Sequence, residues 1–264
     1  MSVNKLLSVW QAEPTIWENI ASWKEIPALP AQFTTIPDEL HPALAYALAQ
    51  AGINKLYHHQ RAVWQNLRDG RHLVIATGTA SGKTLAYNLP IINDLITNPG
   101  RRALYLFPTK ALAQDQLASL NSLIQPANQL LLNNTITPFQ LAAEIYDGDT
   151  PSGQRAAIRK GTHIVLSNPD MLHTGILPHH TSWSEFFENL SFVVIDEMHV
   201  YRGVFGSHVA NVIRRLKRIA QVYGTKPQFI LTSATIANPL ELASRLIEEE
   251  VQLVEDDGSA RGPR

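Results

Sequence analysis

The chain has 264 residues, of which 45% are hydrophobic, and its 22 lysines and arginines nearly balance 23 aspartates and glutamates. This composition predicts a globular protein rather than a fibrous or disordered one, and it gives no overall charge that would attract a nucleic acid or a membrane. Cysteine is absent, which excludes disulfides and thiolate metal sites. We expect a cytoplasmic protein without a membrane partner, because no basic-then-apolar leader opens the chain and no apolar run approaches the roughly 20 residues that span a bilayer.

Residues 1–50 differ in composition from the rest of the chain, and we predict that they form a helical accessory arm. They contain three of the five tryptophans, Trp10, Trp17 and Trp23, and a stretch punctuated by prolines from Pro27 to Pro42. The tryptophans are either packing residues or a platform on which bases stack. Their spacing on one predicted helix favours packing.

From residue 51 onward, short apolar runs alternate with amphipathic segments, which is typical of βαβ units. We predict strands at 72–77, 103–107, 143–147, 163–167, 192–196, 228–233 and 251–254. The expected fold is α/β, a doubly wound and mostly parallel sheet of about seven strands with helices on both faces, over residues 51–254. The polar residues 255–264 are expected to begin a linker to a further domain.

The stretch ATGTASGKTL, residues 76–85, lies between a predicted strand and a predicted helix. Backbone amides of small residues can surround phosphate oxygens there, with Lys83 reaching the outer phosphates and Thr84 binding Mg²⁺. A glycine turn with a surface lysine is the alternative. Thr77 stands where the strict pattern has its first glycine, but the context favours ATP binding by residues Thr79, Ala80, Ser81, Gly82, Lys83 and Thr84.

The stretch FVVIDEMH, residues 192–199, is an apolar strand that ends in two carboxylates. One carboxylate can hold Mg²⁺ and the other can accept a proton from the attacking water, as hydrolysis of a phosphoanhydride requires. We assign Asp196 to Mg²⁺ and Glu197 to the base, with Lys83 completing the catalytic set. An acidic helix N-terminus is the alternative. The hypothesis requires Lys83 and Asp196 to lie at the same edge of one sheet.

With DEMH at 196–199 and SAT at 233–235, the chain resembles the first RecA-like domain of superfamily 2 helicases, the DEAD/DEAH group. The loop TGTASGKT and the stretches YDGDTP (146–151) and DEMHVYRGVFGSH (196–208) are similar to the narrower MrfA-like (mitomycin repair factor A) DNA helicases. In that branch the missing first glycine is normal. The resemblance implies ATP-driven translocation on single-stranded DNA, 3′ to 5′, in DNA repair, with Mg²⁺.

The same resemblance implies roles for further residues. Gln60 is expected to read adenine, and His199 is expected to couple nucleotide state to Ser233 and Thr235, unless it is a core histidine. The residues expected to bind the nucleic-acid strand are Pro108, Thr109, Lys110, Asn168, Pro169 and Asp170. Lys110 is alternatively a solvated lysine at a helix start.

Two features depart from the helicase pattern. At the position where DEAD-box proteins stack adenine on an aromatic ring, this chain has Ala43; Phe33, Tyr46 and Tyr57 are candidate substitutes. The resemblance also implies a second RecA-like domain, with its arginine finger, which is missing after Thr235. We therefore expect very slow hydrolysis and weak ATP binding by the chain alone.

Other features have plain structural explanations. The basic run RRLKR (214–218) lies on a predicted amphipathic helix, so a solvated face is favoured over a DNA groove. The adjacent pairs His58-His59 and His179-His180 give no metal site. Gly203 and Gly206 are expected to allow a tight connection beside the site.

The sequence leaves three functions open. A DNA helicase motor is favoured because Glu197 is present; a nucleotide-gated nucleic-acid clamp with little turnover has no need of that base. A DEAD-box-like RNA helicase is the third, since a fold that binds sugar-phosphate backbones does not by itself distinguish the sugar.

Overall fold

The computed structural model describes residues 3–22, 24, 27–78, 81–134 and 139–262. The predicted site residues Thr79 and Ala80, and Trp23 of the predicted arm, lie outside the described residues. The chain divides into two compact units: residues 1–31 with 260–264, and residues 32–259.

The smaller unit contains two helices, α1 (Val3–Ala12) and α2 (Pro14–Trp17). Leu29 pairs with Arg261 through an antiparallel β-bridge. Trp10 and Trp17 lie on different helices and are 38% and 40% exposed. The break between the helices ends the periodicity on which the packing prediction depended, and α2 buries no residue. Packing of the tryptophans stays a prediction.

The larger unit is built on a seven-stranded parallel sheet, which confirms the predicted fold class. A small two-stranded antiparallel sheet precedes it, formed by β1 (Phe33–Thr34) and β2 (Leu56–Tyr57), which are not joined by a tight turn because α3 lies between them in the chain. The strands of the main sheet are β3 (Leu73–Ala76), β4 (Arg102–Leu106), β5 (Ala143–Ile145), β6 (Ile164–Ser167), β7 (Leu190–Ile195), β8 (Gln228–Ser233) and β9 (Gln252–Val254). Their order is β5-β6-β4-β7-β8-β3-β9, and every neighbouring pair is parallel.

Helices cover both faces of this sheet because its central strands are apolar on both sides. The described helices are α3 (Pro42–Gln50), α4 (His58–Arg68), α5 (Lys83–Thr97), α6 (Lys110–Asn134), α7 (Ser152–Gly161), α8 (Pro169–Met171), α9 (Ser184–Glu188), α10 (Gly203–Val222) and α11 (Pro239–Ile247). One hydrophobic core joins the sheet to α3, α4, α5 and α6, and the other joins it to α10 and α11. Val74 belongs to the second core and its neighbour Ile75 to the first, as alternation along a strand requires.

The larger unit begins at residue 32, not after residue 50, where the predicted accessory arm ends. Helix α3 accounts for the difference, since Leu44, Ala47 and Leu48 are fully buried in the first core. Residues 255–259, predicted as linker, also belong to the larger unit. Within the described residues, no helix combines the length and the apolar character that crossing a bilayer requires.

Candidate nucleotide and nucleic-acid site

Three neighbouring strands carry the predicted nucleotide-site residues at their carboxyl ends. Strand β8 lies between β7 and β3, with Ala76 paired to Ser233 and Ile195 paired to Leu231. Because all three strands are parallel, the loops that come after them leave the same edge of the sheet. The phosphate loop, the acidic pair and the SAT stretch are therefore brought together.

The loop after β3 is closed by hydroxyl groups where the strict pattern has glycine. Thr77 is buried, and its hydroxyl lies 2.7 Å from that of Ser81. Gly82 comes next with a φ of +82°, and a Cβ there would come 2.6 Å from Gln60 Nε2. The positive φ favours glycine at position 82, and a side chain there would have to displace the Gln60 amide.

Lys83 begins α5 and is folded back onto its own loop. Its Nζ donates hydrogen bonds to the carbonyl oxygens of Thr77 (2.9 Å) and Gly78 (2.8 Å). Burial lowers the pKa of Lys83, while the negative charges of Glu197 and Asp196 act in the opposite direction. The ammonium group therefore lies within electrostatic reach of both predicted carboxylates.

A buried threonine of β8 connects the acidic pair to the sheet. The Thr232 hydroxyl donates a hydrogen bond to Asp196 Oδ1 and accepts one from the Glu197 backbone N–H at 3.2 Å. Burial raises the pKa of Asp196; the Thr232 hydrogen bond lowers it, and the adjacent Glu197 charge raises it. Glu197 itself has a φ of +51°, which turns the chain sharply after the strand.

His199 contacts both the acidic pair and the SAT stretch. Its Nδ1 lies 3.1 Å from Glu197 Oε2 and 3.4 Å from the Ala234 backbone N–H. One ring nitrogen cannot donate to the carboxylate and accept from the amide at the same time. When the His199 Nδ1 accepts from the Ala234 N–H, the buried Glu197 Oε2 has no hydrogen-bond donor among the described residues. The buried Ser233 hydroxyl also lacks a hydrogen-bond partner among them. Thr235 comes next at the same edge of the sheet.

The residues at this edge fit a magnesium ion that is held mainly by phosphate oxygens. The Tyr87 hydroxyl donates a hydrogen bond to Gln116 Oε1 at 3.4 Å. Burial raises the pKa of Tyr87, the Asp196 charge adds to the rise, and the Thr84 side chain acts against it. The Thr84 side chain and the Asp196 charge thus both influence the pKa of the Tyr87 hydroxyl. No group of three or more potential ligands is assembled among the described residues. Protein sites often hold Mg²⁺ through only one or two carboxylates plus substrate phosphates.

Gln60 is buried and links α4 to the phosphate loop. Its Oε1 accepts a hydrogen bond from the Tyr57 backbone N–H at 2.9 Å, and its Nε2 donates to the Gly82 carbonyl at 3.1 Å. Beside it, the Tyr57 ring stacks on Phe33 with centroids 5.1 Å apart. Of the candidates for an adenine-stacking ring, Phe33 and Tyr57 therefore lie next to Gln60, whereas Tyr46 lies on α3.

The predicted nucleic-acid residues lie at the ends of β4 and β6, which are adjacent in the sheet. The Thr109 hydroxyl accepts from the Leu112 N–H, and Asn168 Oδ1 accepts from the Met171 N–H, so both side chains cap helices. Pro169 is buried, whereas Asp170 is exposed and Pro108 is partly exposed. Lys110 begins α6 and forms an exposed ion pair with Asp149 at 2.5 Å.

Two of the four basic residues in the run on α10 pair with acidic residues. Arg214 contacts Glu248 at 2.6 Å and Lys217 contacts Glu249 at 2.6 Å. This pairing agrees with the prediction that the run lies on a solvated face of the helix and not in a DNA groove. The connection that leads into α10 also has the expected form, since Gly203 has a φ of +58° and a Cβ at Gly206 would come 2.5 Å from the Tyr201 carbonyl oxygen.

Sequence reasoning missed three groups at this edge: Thr232, His59 and Asp257. Both ring nitrogens of the buried His59 lack side-chain or backbone partners among the described residues, and Asp257 accepts a hydrogen bond from Gly78. The position of Thr232 next to SAT was the only local signal for its role. No pattern near Asp257 connects it with a loop 179 residues earlier in the chain.

The fold agrees with comparisons to known proteins. Residues 57–242 match the family model of the DEAD/DEAH box helicases. The chain is 49% identical over 245 residues to the uncharacterized ATP-dependent helicase YprA of Bacillus subtilis, covering 93% of this chain and 31% of YprA. It is 38% identical over 242 residues to the ATP-dependent helicase HRQ1 of Saccharomyces cerevisiae, covering 90% of this chain and 21% of HRQ1. The chain thus spans about a third or less of these relatives.

Solved structures show the same similarity. A crystal structure of the DUF1998 helicase MrfA bound to DNA has a TM-score of 0.91 at 47% identity and covers 100% of this chain and 36% of MrfA. A second MrfA structure, bound to DNA and AMPPNP, has the same TM-score and identity, covering 100% of this chain and 35% of that one. The DEAD-box helicase Mss116, at 21% identity and a TM-score of 0.69 over 86% of this chain and 46% of its own, shares the fold alone. These matches confirm the resemblance inferred from the motifs: the chain belongs to the DEAD/DEAH box helicase family.

Proposed function

We propose that this chain is the ATP-binding motor domain of an ATP-dependent helicase that acts on DNA. The observation that carries the proposal is the convergence of three strand ends, which places Lys83 within electrostatic reach of Asp196 and Glu197. An ammonium group, loop amides and two carboxylates at one edge form the set that hydrolysis of a bound nucleoside triphosphate requires.

On ATP binding, Lys83 exchanges the carbonyl oxygens of Thr77 and Gly78 for the outer phosphates. Ser81 and Gly82 provide loop amides, and the Thr84 hydroxyl and the Asp196 carboxylate are the protein groups that would hold Mg²⁺. The ion, when bound, would supply positive charge to the outer phosphates. Thr232 keeps Asp196 in place through its hydrogen bond.

Glu197 is the proposed general base. A water oxygen attacks the terminal phosphorus, the bond to the bridging oxygen breaks, and the proton of the water passes to the Glu197 carboxylate. Oε2, which has no donor among the described residues when His199 accepts from Ala234, suits this role. His199 thereby connects the protonation of Glu197 to the SAT loop, which supports the proposed coupling role of Ser233 and Thr235.

Single-stranded DNA is the proposed polymer. The ends of β4 and β6 lie beside each other and expose Lys110 and Asp170, and phosphate contacts from such loops need no strongly basic surface. The similar MrfA structures contain DNA. The 3′ to 5′ direction and a place in DNA repair complete the proposal, supported by resemblance to the MrfA-like branch.

Nucleotide binding and turnover are tested separately. Lys83→Ala in this chain should abolish measurable ATP binding in a calorimetric titration. Glu197→Gln, in the full-length protein, should keep ATP binding but lower DNA-stimulated hydrolysis on the order of 100-fold or more. Lys160→Ala, an exposed change on α7, is the matched control. Unchanged turnover in Glu197→Gln contradicts the motor and favours a nucleotide-gated clamp.

The choice between DNA and RNA needs its own experiment. Competition between single-stranded DNA and RNA of the same sequence for the full-length protein should favour DNA. Equal or stronger binding of RNA would overturn the assignment of the polymer and leave the ATPase proposal intact. Strand separation by the present chain alone would contradict the expectation that an arginine from a second RecA-like domain completes the site.

A further inference from the structure

The short segment after β9 returns to the phosphate loop. The Gly258 carbonyl accepts a hydrogen bond from the Gln32 N–H at 2.9 Å, and Gln32 in turn accepts one from the His58 N–H at 3.0 Å. A Cβ at Gly258 would come 3.0 Å from both Gln32 O and His58 N, so the backbones approach each other closely here. Residues 256–259 are thereby fixed beside the N-terminus of α4.

Asp257, in this segment, occupies a donor of the phosphate loop. Its Oδ2 accepts a hydrogen bond from the Gly78 backbone N–H at 3.3 Å, and its Oδ1 accepts one from the Ser259 N–H at 2.9 Å. Its negative charge also acts on Lys83 and on the buried His59. The Asp257 carboxylate thus lies beside a loop amide and within reach of the Lys83 charge, and backbone amides and ammonium groups are what bind phosphate oxygens.

Lys83 is engaged at the same time. Its ammonium group donates to the carbonyl oxygens of Thr77 and Gly78. Gly78 therefore gives its N–H to Asp257 and its carbonyl to Lys83, so the ammonium group expected to bind the outer phosphates and an amide of the same loop are both paired within the protein. A triphosphate that takes the ammonium group breaks the Lys83 interactions and brings its own negative charge toward Asp257.

We propose that Asp257 is an internal competitor for the phosphate loop, so that binding of a nucleoside di- or triphosphate displaces it and releases residues 255–259. The inference rests on the proposed nucleotide site and adds a regulatory contact to it. By linkage, whatever holds the segment on the loop weakens nucleotide binding, and nucleotide weakens the hold on the segment by the same factor. The segment thereby reports the state of the nucleotide site to whatever it is joined to.

The test measures equilibrium binding of ATP, ADP and adenosine to this chain by calorimetry. Asp257→Ala should tighten ATP and ADP binding about fivefold, as expected for the removal of one competing hydrogen bond, and should leave adenosine binding unchanged. Asp256→Ala is the matched control: it removes the same charge one residue away, where Asp256 faces His58 at 3.5 Å. Thermal melting checks that each variant is folded.

A second measurement monitors the segment itself. Hydrogen exchange at the Ser259 amide, which is bonded to Asp257, should become faster when ATP is added to the unsubstituted chain. Faster exchange without ATP is expected in Asp257→Ala.

The outcomes separate the two proposals. Unchanged or weaker ATP binding in Asp257→Ala, in a chain whose ATP binding is lost in Lys83→Ala, overturns the competitor and leaves the nucleotide site standing. ATP binding by Asp257→Ala alone supports the competitor strongly. If neither Asp257→Ala nor the unsubstituted chain binds ATP, both proposals are wrong.

Discussion

The polar side chains at the ends of β3, β8 and β7 are held differently from those at the ends of β4 and β6. In the first group, Lys83, Asp196 and Thr232 are buried or half-buried and interact with one another. In the second group, Thr109 and Asn168 cap their own helices and Lys110 pairs with Asp149 on the surface. This difference agrees with the proposed roles, in which the first group hydrolyses ATP and the second binds a nucleic-acid strand.

The comparison is tested most severely at Asp196. Asp196→Asn keeps the shape of the side chain but removes the proposed charge toward Mg²⁺. We expect DNA-stimulated ATP hydrolysis by the full-length protein to fall on the order of 100-fold or more. Steady-state kinetics over a range of Mg²⁺ concentrations provide the measurement, and a rate equal to that of wild type at every Mg²⁺ concentration would remove Asp196 from its role.

The same substitution predicts a pH effect on stability. Burial raises the pKa of Asp196 in the folded state above its unfolded value, so the folded state binds the proton more tightly. This contribution therefore favours folding at low pH and is lost as the pH rises from the unfolded pKa through the folded pKa. Without nucleotide, Asp196→Asn should melt at a higher temperature than wild type at neutral pH, with the difference shrinking in acid; a lower melting temperature at neutral pH contradicts this.

Thr232→Val tests whether the acidic pair depends on the two hydrogen bonds of the buried Thr232 hydroxyl. Valine has nearly the same shape but removes both hydrogen bonds, leaving the Glu197 N–H unpaired. We expect a loss of about 1–3 kcal/mol in the free energy of unfolding and a further rise in the pKa of Asp196. Urea denaturation gives the first quantity. Thr235→Val, which removes a hydroxyl from the loop after β8, is the control, and equal losses in both variants would deny Thr232 a special role.

Gly82→Ala sharpens the comparison at the phosphate loop. Alanine at a φ of +82° is strained by about 1–2 kcal/mol, and its Cβ would displace the Gln60 amide. The melting temperature should fall and ATP affinity should weaken. Gly70→Ala has a similar φ but an open surrounding, so it carries the strain alone. If ATP binds both variants equally, contact with Gln60 is unimportant for the nucleotide.

The smallest effects are expected on the surface side of the comparison. Lys110→Ala should leave the melting temperature unchanged, because an exposed ion pair contributes little. It should weaken binding of single-stranded DNA and reduce the slope of log affinity against log salt by about 0.7, the contribution of one phosphate contact. Asp149→Asn, which frees Lys110, should strengthen binding slightly. An unchanged salt slope in Lys110→Ala would show that Lys110 is only a solvated lysine at the start of α6.

The sequence was sufficient for the sheet because its central strands are short apolar runs, as in FVVI at 192–195. It was also sufficient to place Lys83 and Asp196 at one edge, since parallel strands leave no other arrangement. Contacts set by the path of the backbone could not be predicted in this way. Thr232 is one threonine within a β-rich run, and the small sheet that brings Phe33 to Tyr57 has strands of only two residues each.

The side-chain link between Thr77 and Ser81 has an evolutionary consequence. A loop that begins with glycine has no hydroxyl at position 77 and gains nothing from one at position 81. We expect the two positions to covary among relatives, with threonine or serine at both or glycine at the first and a free choice at the second. A search for strict phosphate-loop signatures would overlook every member that uses the paired hydroxyls.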